Sequence, residues 1–214
     1  MKPLVIAAMG SRGSGKSAWV KQHPTVAGAR RLVVWDFMRE YSDQAQAVTS
    51  LPAAIRAMKA PAWRIAYQGN PARREAEFEF ICKAVKQAKR CVLIAEELAF
   101  VTQANRAPPA WRELCLLGRH TTHAEATIIG ISQRPASIDK DFLACCDVIH
   151  CGRLAHNADA KAVAPYLGCD WRELTQLPDL HFLEKSAASE KYSRGVLLFP
   201  QKGVTKKTAL RKSA

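Results

Sequence analysis

This 214-residue sequence reads as an α/β domain built around a mostly parallel sheet. Two features point there. Short apolar runs recur along the chain with stretches of helical character between them, and strands alternating with helices imply a parallel sheet covered on both faces. The last two runs are separated by the polar stretch 185–194, which predicts an antiparallel hairpin at the sheet edge. The expected architecture has three layers and occupies residues 1–200 as one domain.

The first strand is Leu4–Met9, and it runs into Gly10-Ser11-Arg12-Gly13-Ser14-Gly15-Lys16-Ser17. These eight residues match the phosphate-binding pattern G-x-x-x-x-G-K-[ST] without interruption, and Ala18-Trp19-Val20-Lys21 opens the helix that should follow. Glycines allow the tight turn that points successive amide N–H groups at phosphates, and the positive end of the helix dipole adds to the attraction. Lys16 would reach the β- and γ-phosphates of ATP, and the Ser17 hydroxyl would join the shell of Mg²⁺.

Further strands are expected at Leu32–Trp35, Trp63–Tyr67, Cys91–Ala95, Ala126–Ser132, Val148–Cys151, His181–Glu184 and Gly195–Phe199. The segment Ala72–Lys89 places Phe78, Ile81, Cys82 and Val85 at three- and four-residue spacing, which predicts an amphipathic helix. Helices are also expected at Pro108–Leu117, Ser137–Ala144 and Ala155–Tyr166. Trp19, Trp35, Trp63, Trp111 and Trp171 lie in apolar settings and read as core or interface residues.

Two carboxylates, Glu96 and Glu97, end the apolar run from Cys91, at the strand end where ligands bind in parallel sheets. Such a pair supplies what hydrolysis needs beyond a grip on phosphate. Glu96 is assigned to Mg²⁺ and Glu97 to the general base that deprotonates the attacking water. Aspartate is more usual at the first of these positions, so the division of roles between them stays open. Gln133, ending the run Ala126–Ser132, is placed to position water or sense the γ-phosphate if that strand neighbours the acids.

Composition narrows the class further. A formal charge of +13 points to a polyanionic partner, usually nucleic acid, and part of it sits in residues 201–214, which read as a flexible basic tail. No apolar run has the roughly 20 residues a membrane-spanning helix needs. The faintly signal-like start leads straight into the phosphate loop, so cleavage there would destroy the motif. Seven cysteines without a C-x-x-C pair indicate a reducing compartment, and Cys145, Cys146 and Cys151 near His150 have poor spacing for tetrahedral zinc.

Gly118-Arg119-His120, the strand Ile128–Ser132 with Gln133-Arg134-Pro135-Ala136-Ser137-Ile138 after it, and then Asp147-Val148-Ile149 resemble the FtsK–HerA superfamily of DNA-pumping ATPases. The likeness covers roughly residues 3–200. It implies a RecA/FtsK-like P-loop fold and a ring, usually a hexamer, with ATP between subunits and duplex DNA through the centre. A neighbouring subunit would supply an arginine finger, for which Arg119 is the first candidate and Arg153 the second, while Arg134 could face DNA or nucleotide. In size the chain resembles the genome-packaging ATPases of membrane-containing bacteriophages, which implies host-cell cytoplasm or virion association and docking to a capsid or membrane-vertex protein.

DNA contact is expected from the segments 103–108 and 68–74, the latter with Arg73 and Arg74, and should be to phosphate and independent of sequence. The absence of an aromatic-rich platform favours duplex over single strand. The competing expectations are a plasmid or conjugation motor, a filamentous-phage export ATPase, and, in another class, a small-molecule or nucleotide kinase. A kinase would want an arginine-rich lid and an acceptor pocket, whereas paired acids followed by Gln133-Arg134-Pro135 suit water as acceptor.

Overall fold

A computed structural model describes residues 2–120 and 123–199. The basic tail at 201–214 lies outside the described residues. In chain order the elements are β1 (Val5–Met9), α1 (Lys16–Gln22), α2 (Pro24–Ala27), β2 (Arg31–Trp35), β3 (Gln46–Val48), α3 (Leu51–Met58) and β4 (Trp63–Tyr67). They continue with α4 (Arg74–Ala88), β5 (Val92–Ala95), α5 (Pro109–Leu117), β6 (Thr127–Ser132), α6 (Lys140–Ala144) and β7 (Val148–Gly152). The chain then forms α7 (Asn157–Leu167), α8 (Trp171–Gln176), β8 (His181–Ser186) and β9 (Ser193–Val196).

The strands form one nine-stranded sheet in the order β3-β4-β2-β5-β6-β1-β7-β8-β9. Every pairing from β3 to β7 is parallel, and β8 and β9 are antiparallel at one edge. Side-chain alternation sorts the strand residues into two cores. Val5, Ala7, Met9, Val33, Trp35, Leu93 and Ala95 face the layer containing Phe78, Ile81, Trp111, Leu114, Phe142 and Val163. Ile6, Ala8, Leu32, Val34, Ile94, Ile129 and Ile131 face the other side, with Val20 and Val26. Burial on both faces explains why the central strands read as nearly continuous apolar runs.

The predicted strands are present, Trp63–Tyr67 with the expected bounds and the others with shifted ends. The final one covers Ser193–Val196 rather than Gly195–Phe199, because its partner β8 begins at His181, after Leu180 turns with φ 62°. The Leu197 N–H on the Leu180 carbonyl at 2.9 Å continues the register by one step. The expected helix at Ser137–Ala144 is shorter, starting at Lys140. Ile138 is extended (φ −94°, ψ 168°), and Asp139 caps the helix by accepting from the Asp141 N–H at 3.1 Å. The helix expected from Ala72 begins at Arg74, after a 3₁₀ turn at Pro71–Arg73. Four elements, β3, α2, α3 and α8, had no counterpart among the expected ones. β3 is three residues long with two of them exposed, and so carries no apolar run to detect.

Candidate nucleotide site

The phosphate loop leaves the C-terminal end of β1, a central strand flanked by β6 and β7. Two of its glycines are conformationally required: Gly13 has φ 80° and Gly15 φ 89°, in the left-handed region that favours glycine. The loop is held at its base by Gly10 N–H on the Ser132 carbonyl (3.2 Å) and Ser11 N–H on the Arg153 carbonyl (2.8 Å). Lys16 is buried at the first position of α1. Burial lowers its pKa, opposed by the carboxylates of Glu97, Glu96 and Glu40.

β5 delivers the paired acids beside this loop. Glu96 accepts a hydrogen bond from the Ser17 hydroxyl at 3.2 Å, while its other carboxylate oxygen is buried without a partner. Burial, with the nearby charges of Glu40 and Asp36, pushes the Glu96 carboxyl up to about 8, against the opposing Ser17 hydrogen bond and the Lys16 charge. Glu97 is turned by a left-handed backbone (φ 47°) toward the end of β6. There it accepts from the Ser132 hydroxyl at 3.0 Å and the Gln133 N–H at 3.3 Å. Register explains the meeting, since Ala95 lies opposite Gly130 and two further residues bring Glu97 level with Ser132.

A cleft of about 470 Å³ is lined by Arg12, Lys16, Ser17, Glu40, Glu96, Glu97 and Gln133, with the apolar side chains of Met38, Leu180 and Phe199 among the rest of its wall. The predicted loop and acids thus converge on one cavity. Gln133 joins them, and it is its backbone N–H that bonds Glu97. The residue pair Ser17–Glu96 presents a hydroxyl and an unsatisfied carboxylate oxygen together, a donor set that suits Mg²⁺, which prefers oxygen ligands. Among the described residues no group of three His, Cys, Asp or Glu side chains stands together as a metal cage.

The arginines divide. Arg119 pairs with Asp147, whose carboxylate also accepts from the Val5 N–H at 2.8 Å, so Arg119 sits where β1 and β7 begin, at the end of the sheet opposite the phosphate loop. Arg153 lies beside the loop and pairs with Asp179 at 2.7 Å. With Ser11, Arg12, Gln133, Arg134 and His156 it lines a second cleft of about 540 Å³. Arg134 is tethered at 3.0 Å to the buried Asp159.

The two segments expected to contact DNA are brought together although 28 residues separate them in sequence. Both follow the C-terminal ends of strands, and Arg74, Gln103 and Arg106 line a shared cavity of about 310 Å³. Arg74 lies over the Phe100 ring (5.8 Å), and Arg106 pairs with Glu75 at 3.2 Å. Arg73 is exposed beside them.

Sequence reasoning missed the loop after β2. Asp36 is fully buried and accepts from the Glu40 N–H (2.8 Å) and the Gln68 side-chain amide (3.0 Å), which positions Glu40 at the cleft. The signal was present: Leu32–Trp35 followed by Asp36 has the same form as the run that ends in Glu96, a buried strand delivering a carboxylate. It also missed Ser132, since a serine at a strand end has no distinctive pattern.

Among the described residues no helix is long and apolar enough to cross a membrane. No protein-family model matches the chain. It is 28% identical over 177 residues to "Protein P9" of Pseudoalteromonas phage PM2, covering 80% of this chain and 78% of that protein. The genome packaging NTPase B204 from Sulfolobus turreted icosahedral virus 2, in complex with AMPPCP, superposes with a TM-score of 0.77 at 18% identity, over 94% of this chain and all of that one. The pCW3 conjugation coupling protein TcpA with ATPγS superposes with a TM-score of 0.52 at 20% identity, over 90% of this chain and 59% of that one. The chain is therefore a homologue of a phage protein, and it has the P-loop NTPase fold shared by a viral genome-packaging NTPase and a conjugation coupling protein.

Proposed function

We propose that this protein is an ATP-hydrolysing motor that moves duplex DNA, and that its cargo is a viral genome entering a capsid. The observation that carries hydrolysis is the orientation of Glu97: Ser132 and Gln133 hold its carboxylate at the wall of the phosphate-loop cleft. There it can take a proton from water attacking the γ-phosphate. The loop amides and Lys16 grip the phosphates and neutralise charge as it develops. Ser17 and Glu96 would hold Mg²⁺, which when bound would supply positive charge against the charge of the phosphates.

The likeness to B204 supports packaging as the destination, and the phage origin of the homologous protein agrees with a viral setting. Duplex DNA would meet the joined surface of Arg73, Arg74, Gln103 and Arg106, through phosphates. In this proposal subunits assemble as a ring, a hexamer, with Arg119 or Arg153 reaching a neighbour's nucleotide. The ring works in the host cytoplasm and docks on a capsid or membrane-vertex protein. ATP hydrolysis measured with and without long duplex DNA tests the proposal. Stimulation that weakens with added salt supports it, and phosphate transfer to a nucleoside or metabolite without DNA stimulation overturns it.

A further inference from the structure

The nucleotide cleft has a chemically distinct second half. Lys16, Glu96, Glu97 and Gln133, contributed by α1, β5 and β6, lie on one side of β1 or directly over it. Toward β8 and β9 the lining side chains are Leu180 and Phe199, which flank the hairpin in sequence. Strand order therefore sets the polarity of a bound nucleoside triphosphate. The γ-phosphate belongs by Glu97, and the base belongs over the β8–β9 hairpin.

That hairpin is built against the phosphate loop. Leu180 precedes β8 with φ 62°, an uncommon backbone state for a bulky side chain. It is fixed there by the Leu197 N–H on its carbonyl at 2.9 Å and by the neighbouring Asp179–Arg153 pair. A Cβ on Gly15 would come within 2.7 Å of Leu197 and 3.3 Å of Leu180, so these two leucines form a roof over the loop. Beyond the roof, Phe199 is 56% exposed at the cleft mouth. Strain and an exposed aromatic ring at one site are what a ligand clamp shows.

We infer that Leu180 and Phe199, with Leu197 bracing Leu180 from behind, form the nucleobase platform, and that it holds the base by stacking and apolar contact alone. The side chains of Leu180 and Phe199 carry no donor or acceptor with which to read the edge of a base. The substrate class is accordingly nucleoside triphosphates without selection at the base edge, with GTP accepted along with ATP. This inference rests on the cleft being a nucleotide site, as proposed above.

Binding is measured by calorimetry on the full chain with three probes: ATP, GTP and inorganic tripolyphosphate, which has no base. Wild type is expected to bind ATP and GTP within about tenfold of each other, because no edge contact discriminates them. Phe199→Ala should weaken both by about five- to tenfold while leaving tripolyphosphate unchanged. Phe199→Trp should restore the affinity, and Leu198→Ala, at a neighbour that does not line the cleft, should change nothing. An equal drop on tripolyphosphate, no drop at all, a drop confined to ATP, or a preference for ATP above about a hundredfold overturns the platform. If wild type binds none of the three probes, the nucleotide site itself is refuted, which separates that failure from this one.

Discussion

Ser17 and Glu96 share a hydrogen bond of 3.2 Å across the base of the phosphate loop, and the remaining Glu96 oxygen is buried with no partner. A carboxylate so placed, pushed up to about 8 mainly by burial, is protonated at neutral pH until a cation arrives. Binding of Mg²⁺ with nucleotide at pH 7 is expected to release about one proton per site. Calorimetry in buffers of different ionisation enthalpy measures this, and Glu96→Gln should abolish the release.

The same group fixes a pH dependence of stability. Its folded pKa lies above the usual carboxylate value, so the folded chain holds the extra proton between roughly pH 4.5 and 8. Stability contributed by Glu96 is therefore complete below that window and falls as pH rises through it. Above pH 8, Glu96→Gln should stabilise the nucleotide-free protein by on the order of a few kcal/mol. The advantage should vanish near pH 4.5 in thermal melts.

Gly15 and Gly13 separate two effects of adding a methyl group. Both have positive φ, but a Cβ on Gly15 would strike Leu197 at 2.7 Å whereas one on Gly13 meets nothing within 4 Å. Gly13→Ala should cost about 1 kcal/mol of stability from backbone strain. Gly15→Ala should cost about 1–3 kcal/mol more, because the leucine roof must move as well. Chemical denaturation of the two variants measures the difference.

Much of this site is legible in the sequence, for a physical reason. A phosphate loop demands glycines at fixed steps, and Gly10–Ser17 shows them with a strand before and a helix after. Glu96 and Glu97 are legible because a run of apolar residues ends abruptly in charge. The contacts that orient them are not legible, since Ser132 reaches Glu97 through sheet register rather than sequence spacing. The role of Leu180 is equally hidden: its left-handed backbone is imposed by packing, and a leucine is a poor local signal for it.

If duplex DNA lies on the proposed surface, the pairing of Arg74 with Arg106 around one cavity, with exposed Arg73 next in sequence, predicts how its affinity depends on salt. Replacing the three with glutamine should weaken duplex binding irrespective of sequence. The slope of log affinity against log salt should flatten by about 0.9 for each phosphate that is no longer neutralised. Fluorescence anisotropy over a salt series with two unrelated duplexes measures it.

In the proposed mechanism hydrolysis turns on Glu97, and turnover of Glu97→Gln is the decisive measurement. The substitution keeps shape and removes the base, while Lys16 and the loop amides remain in place. The variant is expected to bind ATP with nearly wild-type affinity yet turn over about 10²–10⁴-fold more slowly, with long duplex DNA present or absent. Full turnover in Glu97→Gln, with the DNA stimulation intact, would contradict the assignment of Glu97 as the base.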